Sequence, residues 1–165
     1  MGRAWKFGDN ISTDLIAPGR YFHLRSNLPE LAKHVLEDAR PDFAGGVKPG
    51  DFVVGGRNFG KGSSREHAPL IIKLAGTRAV LAKSFARIFY RNCINIGLAA
   101  VVVDTDRIGE GDDLAIDLEK GVVRDRTKGI DLTFPSLPRV MAQILEEGGL
   151  VEYIKNHGDL VLTPG

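Results

Sequence analysis

Seven consecutive residues, Gly60-Lys61-Gly62-Ser63-Ser64-Arg65-Glu66, hold the densest reactive chemistry in this chain. Two glycines allow a tight backbone turn, two adjacent hydroxyls follow, and an arginine comes directly after them. Hydroxyls on such a turn can meet a carboxylate or an oxyanion, and Arg65 can fork onto a carboxylate through two parallel hydrogen bonds. The run follows an apolar stretch, Phe52-Val53-Val54, and precedes a helix-like one from His67 to Ala75. A strand, glycine loop and helix in that order aims backbone N–H groups and the positive end of the helix at an anion. Two standard motifs do not fit. A Walker loop separates its glycines by a longer spacer and places Lys directly before Ser or Thr, whereas Lys61 lies between the glycines here. The nucleophile elbow, Gly-x-Ser-x-Gly, is absent from the run. By composition alone the segment is equally compatible with an ordinary turn.

The flanking elements decide what such a loop can face. Arg3 to Phe7 has the makings of a short strand, and residues 8–19 form a polar loop punctuated by Gly and Pro. Leu31, Val35 and Leu36 share one face of a helix expected over Pro29–Ala39, with Pro41 as its stop. After a turn at Lys48-Pro49-Gly50 comes the strand that feeds the glycine loop. The following helix should end at Ala75 with Gly76 as its cap. Ala79–Ala82 and Leu98–Val103 are apolar without polar alternation, as strands buried on both faces are. Between them Ser84 is expected to cap a helix through Asn92, with Phe85, Ile88 and Phe89 in the core. Residues 51–103 thus predict an α/β layer with parallel strands. Short strands at 114–118, 122–124 and 130–134, joined by turns at Lys120-Gly121 and Lys128-Gly129, predict an antiparallel excursion. Two helical stretches follow, 137–146 and 150–157, and the whole of residues 1–165 is expected to form a single domain.

Composition narrows the function classes. Lys plus Arg number 22 against 21 Asp plus Glu, a net charge of +1 that gives no support to nucleic-acid binding. No apolar run is long enough to span a bilayer and the N-terminal residues carry no apolar signal segment, so a cytoplasmic location is expected. The single cysteine, Cys93, excludes an internal disulfide and a cysteine-held iron–sulfur cluster built by this chain alone. It lies in an apolar run and is expected to pack as a small core residue. The four histidines, at 23, 34, 67 and 157, have no metal-ligand spacing.

Three strings in order, Gly8-Asp9-Asn10-Ile11-Ser12-Thr13-Asp14-Leu15-Ile16, the Gly60–Glu66 run, and Ala82-Lys83-Ser84-Phe85-Ala86-Arg87-Ile88-Phe89-Tyr90-Arg91-Asn92, resemble the aconitase and isopropylmalate isomerase family. The resemblance covers residues 2 to about 160. It implies the swivelling β/β/α domain, which in the isopropylmalate isomerases is a separate small subunit. It further implies hydro-lyase chemistry: water leaves a hydroxy di- or tricarboxylic acid and returns at the neighbouring carbon. The small subunit would be inactive alone. A large subunit carrying a 4Fe–4S cluster would supply the Lewis acid, and this chain would bind no cofactor itself. Isopropylmalate, in leucine biosynthesis, is the leading substrate. Homoaconitate, citramalate or dimethylmalate are alternatives, an RNA-binding or regulatory module is a remote one, and the isolated chain could self-associate.

Residue by residue, the resemblance makes Ser63 the base, acting as a stabilised alkoxide, and gives Ser64 and Arg65 a substrate carboxylate to hold. Asp14 matches the aspartate of the family's Thr-Asp motif at the active site. An aconitase serine three residues beyond that aspartate is Ala17 here, so one polar contact is missing. Arg25, in Arg20-Tyr21-Phe22-His23-Leu24-Arg25, lies where the family carries its substrate-selecting loop and would clamp a distal carboxylate, unless it is a solvated loop arginine. Glu66 is expected to pair with a basic side chain and His67 to be structural. Arg87 and Arg91 would pin loops or meet the large subunit.

Overall fold

The structure is a computed structural model that describes residues 2–63 and 65–158. Its scaffold is one seven-stranded sheet with two characters. Strand β1 (Gly2–Lys6) pairs in parallel with β2 (Phe52–Val54), β2 with β3 (Ala79–Ala82), and β3 with β4 (Ala99–Val102). On its other edge β1 pairs antiparallel with β5 (Asp113–Asp117), which continues into β6 (Val122–Asp125) and β7 (Ile130–Thr133). The sheet order is therefore β4-β3-β2-β1-β5-β6-β7, with β1 the hinge between the parallel and antiparallel halves.

The apolar runs at β2 and β3 are buried on both faces, whereas β4, at the sheet edge, leaves Val102 49% exposed. Along β2 and β3, Val53, Val80 and Ala82 join one core with Trp5, Ile16, Leu36, Phe43, Phe59, Ile71 and Phe89. Their neighbours Phe52, Val54, Ala79 and Leu81 point the other way and join Leu114, Val123, Leu132 and Leu145. Successive side chains on a strand face opposite sides, so two cores require two apolar sets in one run. The second core includes residues of β5, β6 and β7, so the sheet curls until its antiparallel half covers one face of its parallel half.

Helix α1 (Thr13–Ile16) is a single turn capped by the Ser12 hydroxyl, which accepts from the Leu15 N–H at 3.1 Å. A 3₁₀ turn (Gly19–Leu24) follows, then α2 (Leu28–Ala32) and α3 (Phe43–Gly46). The helix expected over 29–39 stops after Ala32: Leu36 adopts a positive φ of 55° and donates its N–H to the Ile16 carbonyl, sending the chain into turns. Leu31, Val35 and Leu36 are nonetheless all buried. Helix α4 (His67–Leu74) connects β2 to β3, and Gly76 takes the left-handed conformation (φ 97°) just beyond its end. Helix α5 (Arg87–Asn95) connects β3 to β4 and begins later than expected. The Ser84 hydroxyl does not cap it but accepts from the Asn58 N–H at 2.8 Å. Helices α6 (Arg139–Glu146) and α7 (Leu150–His157) close the described chain. No helix among the described residues is long and apolar enough to cross a membrane.

Candidate active site

All three motif strings leave the same edge of the parallel sheet. Residues 8–12 follow β1, residues 55–66 follow β2 and residues 83–86 follow β3, each at the C-terminal end of its strand. That edge is where open α/β sheets place their ligands, because the loops there converge and helix N-termini face outward. Backbone hydrogen bonds sew the loops together. Gly56 donates to Gly8, Asn10 to Arg57, Gly60 to Ile11 and Thr13 to Lys61, at 2.7–3.1 Å. Phe59 donates to Ser84, Ala86 to Phe59 and Lys83 to Gly56, each at 3.0 Å. The first and third strings thus hold the glycine run from its two sides.

A side chain at position 60 would be strained. The φ of Gly60 is +85°, and an added Cβ would lie 2.1 Å from Cγ of the buried Phe89. This close approach lets the loop pass over α5 and turn outward to Ser63. The Ser63 carbonyl accepts from the Thr13 hydroxyl at 3.0 Å, so the loop tip is fixed to the start of α1. The Ser63 side chain is exposed, at the lip of a cavity of about 210 Å³ lined by Thr13, Gly62, Arg65, Arg87, Ile88 and Asn92, among others.

Arg65 organises the polar side of this cavity. Its Nε lies 3.5 Å from the Ser63 hydroxyl oxygen, its Nη1 donates to the Ala17 carbonyl at 3.3 Å, and its Nη2 meets Asp14 Oδ1 at 2.5 Å. Ala17, where a polar contact was expected to be missing, thus serves through its main chain. The Arg65 guanidinium carbon lies 5.9 Å from the Phe22 ring, and Arg25 stacks on the same ring at 4.2 Å while donating to the Phe22 carbonyl. Arg25 is exposed and makes no ion pair among the described residues. His67, at the first position of α4, also meets Phe22, with ring centroids 6.2 Å apart. Burial pushes its imidazole below the usual histidine range, and the Arg65 and Arg25 charges push it further the same way. The result is two cations and a neutral imidazole around one aromatic ring.

The segment from Gly19 to Arg25 is anchored through Arg20 and Tyr21. Arg20 holds Asp38 and Glu37 at 2.6 Å, and Tyr21 stacks on His34 with centroids 3.7 Å apart. Beyond that anchor, Phe22 and Arg25 are exposed toward Arg65 and His67. Of the residues singled out from sequence, Asp14, Ser63 and Arg65 meet directly, and Arg25 joins them through Phe22. Ser64 lies outside the described residues. Glu66 is exposed and forms no ion pair among the described residues, so the expected pairing is absent. Ile88 is not core but 52% exposed and lines the cavity, because α5 starts at Arg87 and turns that position outward. Asn92, which sequence reasoning overlooked, lines the same cavity. Its one signal was its place one helical turn beyond Ile88.

Among the described residues no cluster of three or more His, Cys, Asp or Glu side chains could hold a metal ion. Cys93 is fully buried and its thiol is pushed far above the usual range by burial, so it suits packing and not ligation.

Comparison with known proteins agrees with this fold. The family described as Aconitase C-terminal domain matches residues 14–106. The chain is 66% identical to the 3-isopropylmalate dehydratase small subunit 2 of Archaeoglobus fulgidus over 97% of each chain. It is 61% identical to small subunit 1 of the Thermotoga maritima enzyme over 95% of each. The crystal structure of 3-isopropylmalate dehydratase LeuD from Methanocaldococcus jannaschii superposes with a TM-score of 0.90 at 45% identity, covering 95% of this chain and 93% of that one. The chain belongs to the aconitase C-terminal-domain family that includes the small subunits of the 3-isopropylmalate dehydratases.

Proposed function

We propose that this chain is the small subunit of a 3-isopropylmalate dehydratase. With a large subunit it interconverts 2- and 3-isopropylmalate in leucine biosynthesis, in the cytoplasm, and it forms one swivelling unit over residues 1–165. The observation that carries the reading is the Ser63–Arg65–Asp14 constellation at the lip of an open cavity, in a chain this close to such subunits.

The residues divide the work. Ser63 takes the carbon-bound proton of the hydroxy acid as hydroxide departs from the neighbouring carbon, and it returns a proton when water adds at the other position. A solvated serine is far too weak a base, so the step needs water excluded and a cation close by. Arg65 is that cation, with its Nε already directed at the Ser63 oxygen. Arg65 and Ser64 also take one substrate carboxylate. The exposure of Ser63 explains the need for a partner: the cavity is half a site, and closure of the large subunit dries it. This chain's lone, buried Cys93 does not fit a cysteine-held cluster. In our reading the 4Fe–4S cluster belongs to the large subunit, where it supplies the Lewis acid for the departing hydroxyl.

Turnover after anaerobic reconstitution with a cluster-bearing large subunit tests the proposal. Isopropylmalate, homocitrate, citrate and citramalate are offered in parallel. Preference for isopropylmalate is expected. Preference for the tricarboxylic acids would overturn the substrate and make Arg25, the unpaired cation of the selecting loop, their distal clamp. Turnover by the isolated chain would overturn the half-site reading altogether.

A further inference from the structure

A second cavity, larger than the one at Ser63, shares Arg87 with it. It is a groove of about 570 Å³ between α5, α6 and α7. One wall is the α5 stripe Arg87, Tyr90, Arg91, Ile94, Asn95, whose spacing puts all five on a single helix face. The other is apolar, with Met141 and Ile144 from α6 and Leu150 and Ile154 from α7. Ile154 is 40% exposed and its neighbour Val151 65%, although both are large aliphatic residues.

Two observations say what covers this groove. The first is charge. Arg87 and Arg91 form no ion pair among the described residues. Arg25, Arg57, Arg78, Arg107, Arg126 and Arg139 share that condition, but of these unpaired arginines Arg87 and Arg91 are the two that line the apolar groove. An apolar trough beside two uncompensated guanidinium groups fits a surface that brings its own carboxylates. The second is continuity. Arg87 lines both the groove and the Ser63 cavity, so a body that closes over Ser63 passes directly onto the groove.

We propose that the groove between α5, α6 and α7 is the docking site of the large subunit. That subunit lays an apolar segment against Met141, Ile144 and Ile154 and sets carboxylates against Arg87 and Arg91. This rests on the reading of the chain as a small subunit, but its test reads association and not turnover. The dissociation constant of the full-length pair is measured for wild type, Ile154→Glu, Arg91→Glu and, as a charge-reversed control on β6, Arg124→Glu. Each groove variant is expected to raise the dissociation constant at least about tenfold, as loss of an interface anchor does. The Arg91→Glu effect should shrink with added salt. The control should stay within about twofold of wild type. Turnover should recover when the large subunit is in excess, because Ser63 and Arg65 are untouched.

Unchanged affinity in both groove variants would overturn the proposal, and so would an effect confined to self-association of this chain. If Ile154→Glu unfolds, Arg91→Glu alone carries the test. A pair that associates through the groove but leaves isopropylmalate unchanged would sink the substrate reading and leave the docking site standing. A wild-type pair that does not associate would sink both.

Discussion

Arg65 Nη2 lies 2.5 Å from Asp14 Oδ1, so one of the five guanidinium N–H groups already holds a carboxylate of the chain itself, and a second N–H on Nη1 and on Nη2 is left for a substrate carboxylate. Its other two nitrogens are engaged by the Ala17 carbonyl and the Ser63 hydroxyl. Asp14 is 66% exposed and so gains little from the pair in water; its weight lies in orienting Arg65. Replacing Asp14 by Asn should keep the shape and lose the charge-assisted bond. The expected result is a fall in kcat/KM of roughly ten- to a hundredfold, the worth of one hydrogen bond to a charged group, with little change in melting temperature. Arg65→Lys should cost at least as much, because an ammonium cannot hold Asp14, Ala17 and Ser63 at once. An Asp14→Asn enzyme with wild-type kcat/KM would show that Arg65 needs no such orientation.

Ser63→Ala isolates the proton transfer. Loss of a positioned base typically costs about 10²–10⁴ in rate, and that fall should appear in kcat with KM changed much less. The side chain is exposed and the loop is held through the Ser63 carbonyl, so folding and large-subunit affinity should stay as in wild type. A variant that keeps more than about a tenth of wild-type kcat would remove Ser63 from the base role, by the same range.

Much of this site was legible in the sequence because its parts are local. The Gly60–Glu66 run, the strand before it and the helix after it share one stretch of chain, and the fully apolar runs at 52–54 and 79–82 announce buried parallel strands. The run at 99–102 is a parallel strand too, but at the sheet edge, where Val102 is exposed. What the sequence hid depends on long-range contacts. The helix expected over 29–39 carries the right apolar spacing, yet a hydrogen bond from Leu36 to Ile16 ends it early. Ser84 looks like a helix cap but is drawn off by Asn58, 26 residues away. Ile88 shares the spacing of Phe89's helix but faces the cavity, since periodicity shows which residues share a face and not what that face meets. Phe22, the ring on which Arg25, Arg65 and His67 converge, has no local signal beyond its aromaticity.

Substrate choice should turn on Arg25. It stacks on Phe22 without a carboxylate partner among the described residues, and its charge acts within the chain on the Phe22 ring and on the nearby His67 imidazole. Arg25→Val should leave isopropylmalate turnover within a few-fold and abolish whatever activity the pair shows on homocitrate or citrate, because a buried polar contact to a second carboxylate discriminates far more strongly than a methylene does. Equal losses on every substrate would show that Arg25 supports the loop and does not read the acid.

Gly60→Ala tests the loop as a construction. The residue would hold a positive φ and press its methyl onto Phe89, two costs of roughly 1–3 kcal/mol each. About 3 kcal/mol in a chain of this size corresponds to a melting temperature lower by roughly 6–12 °C. Activity should fall further than stability, since the same shift moves Ser63 away from Arg65. Thermal melts and turnover of the same preparation separate the two effects. An alanine variant that melts like wild type would mean that α5 yields to the methyl.

Far from the active site, Asp112 and Asp125 form a buried acidic pair whose titration should be visible in stability. Asp125 is fully buried and its Oδ2 has no donor, while Oδ1 accepts from the Lys128 N–H at 3.0 Å. Burial pushes the Asp125 carboxyl above the usual range, and the neighbouring Asp112 pushes it the same way. Asp112, held by the Gly109 N–H and Lys128, stays below it despite its own burial. One proton retained on Asp125 would give its Oδ2 a bond to Asp112. The folded chain then holds a proton that the unfolded chain releases at an ordinary aspartate pKa. The stability from that proton is complete below the unfolded value and is lost as pH rises through the raised folded value. Asn at position 125 carries the donor permanently, so Asp125→Asn should melt higher than wild type at neutral pH. The gap should close as pH falls toward the unfolded aspartate value, where the wild-type proton is already in place. Melting curves of both proteins across the acidic range give the answer. A gap that does not vary with pH would mean that the fold leaves the Asp125 titration unshifted, and a gap that widens as pH falls would mean that Asp125 is ionised in the fold with some other donor satisfying it.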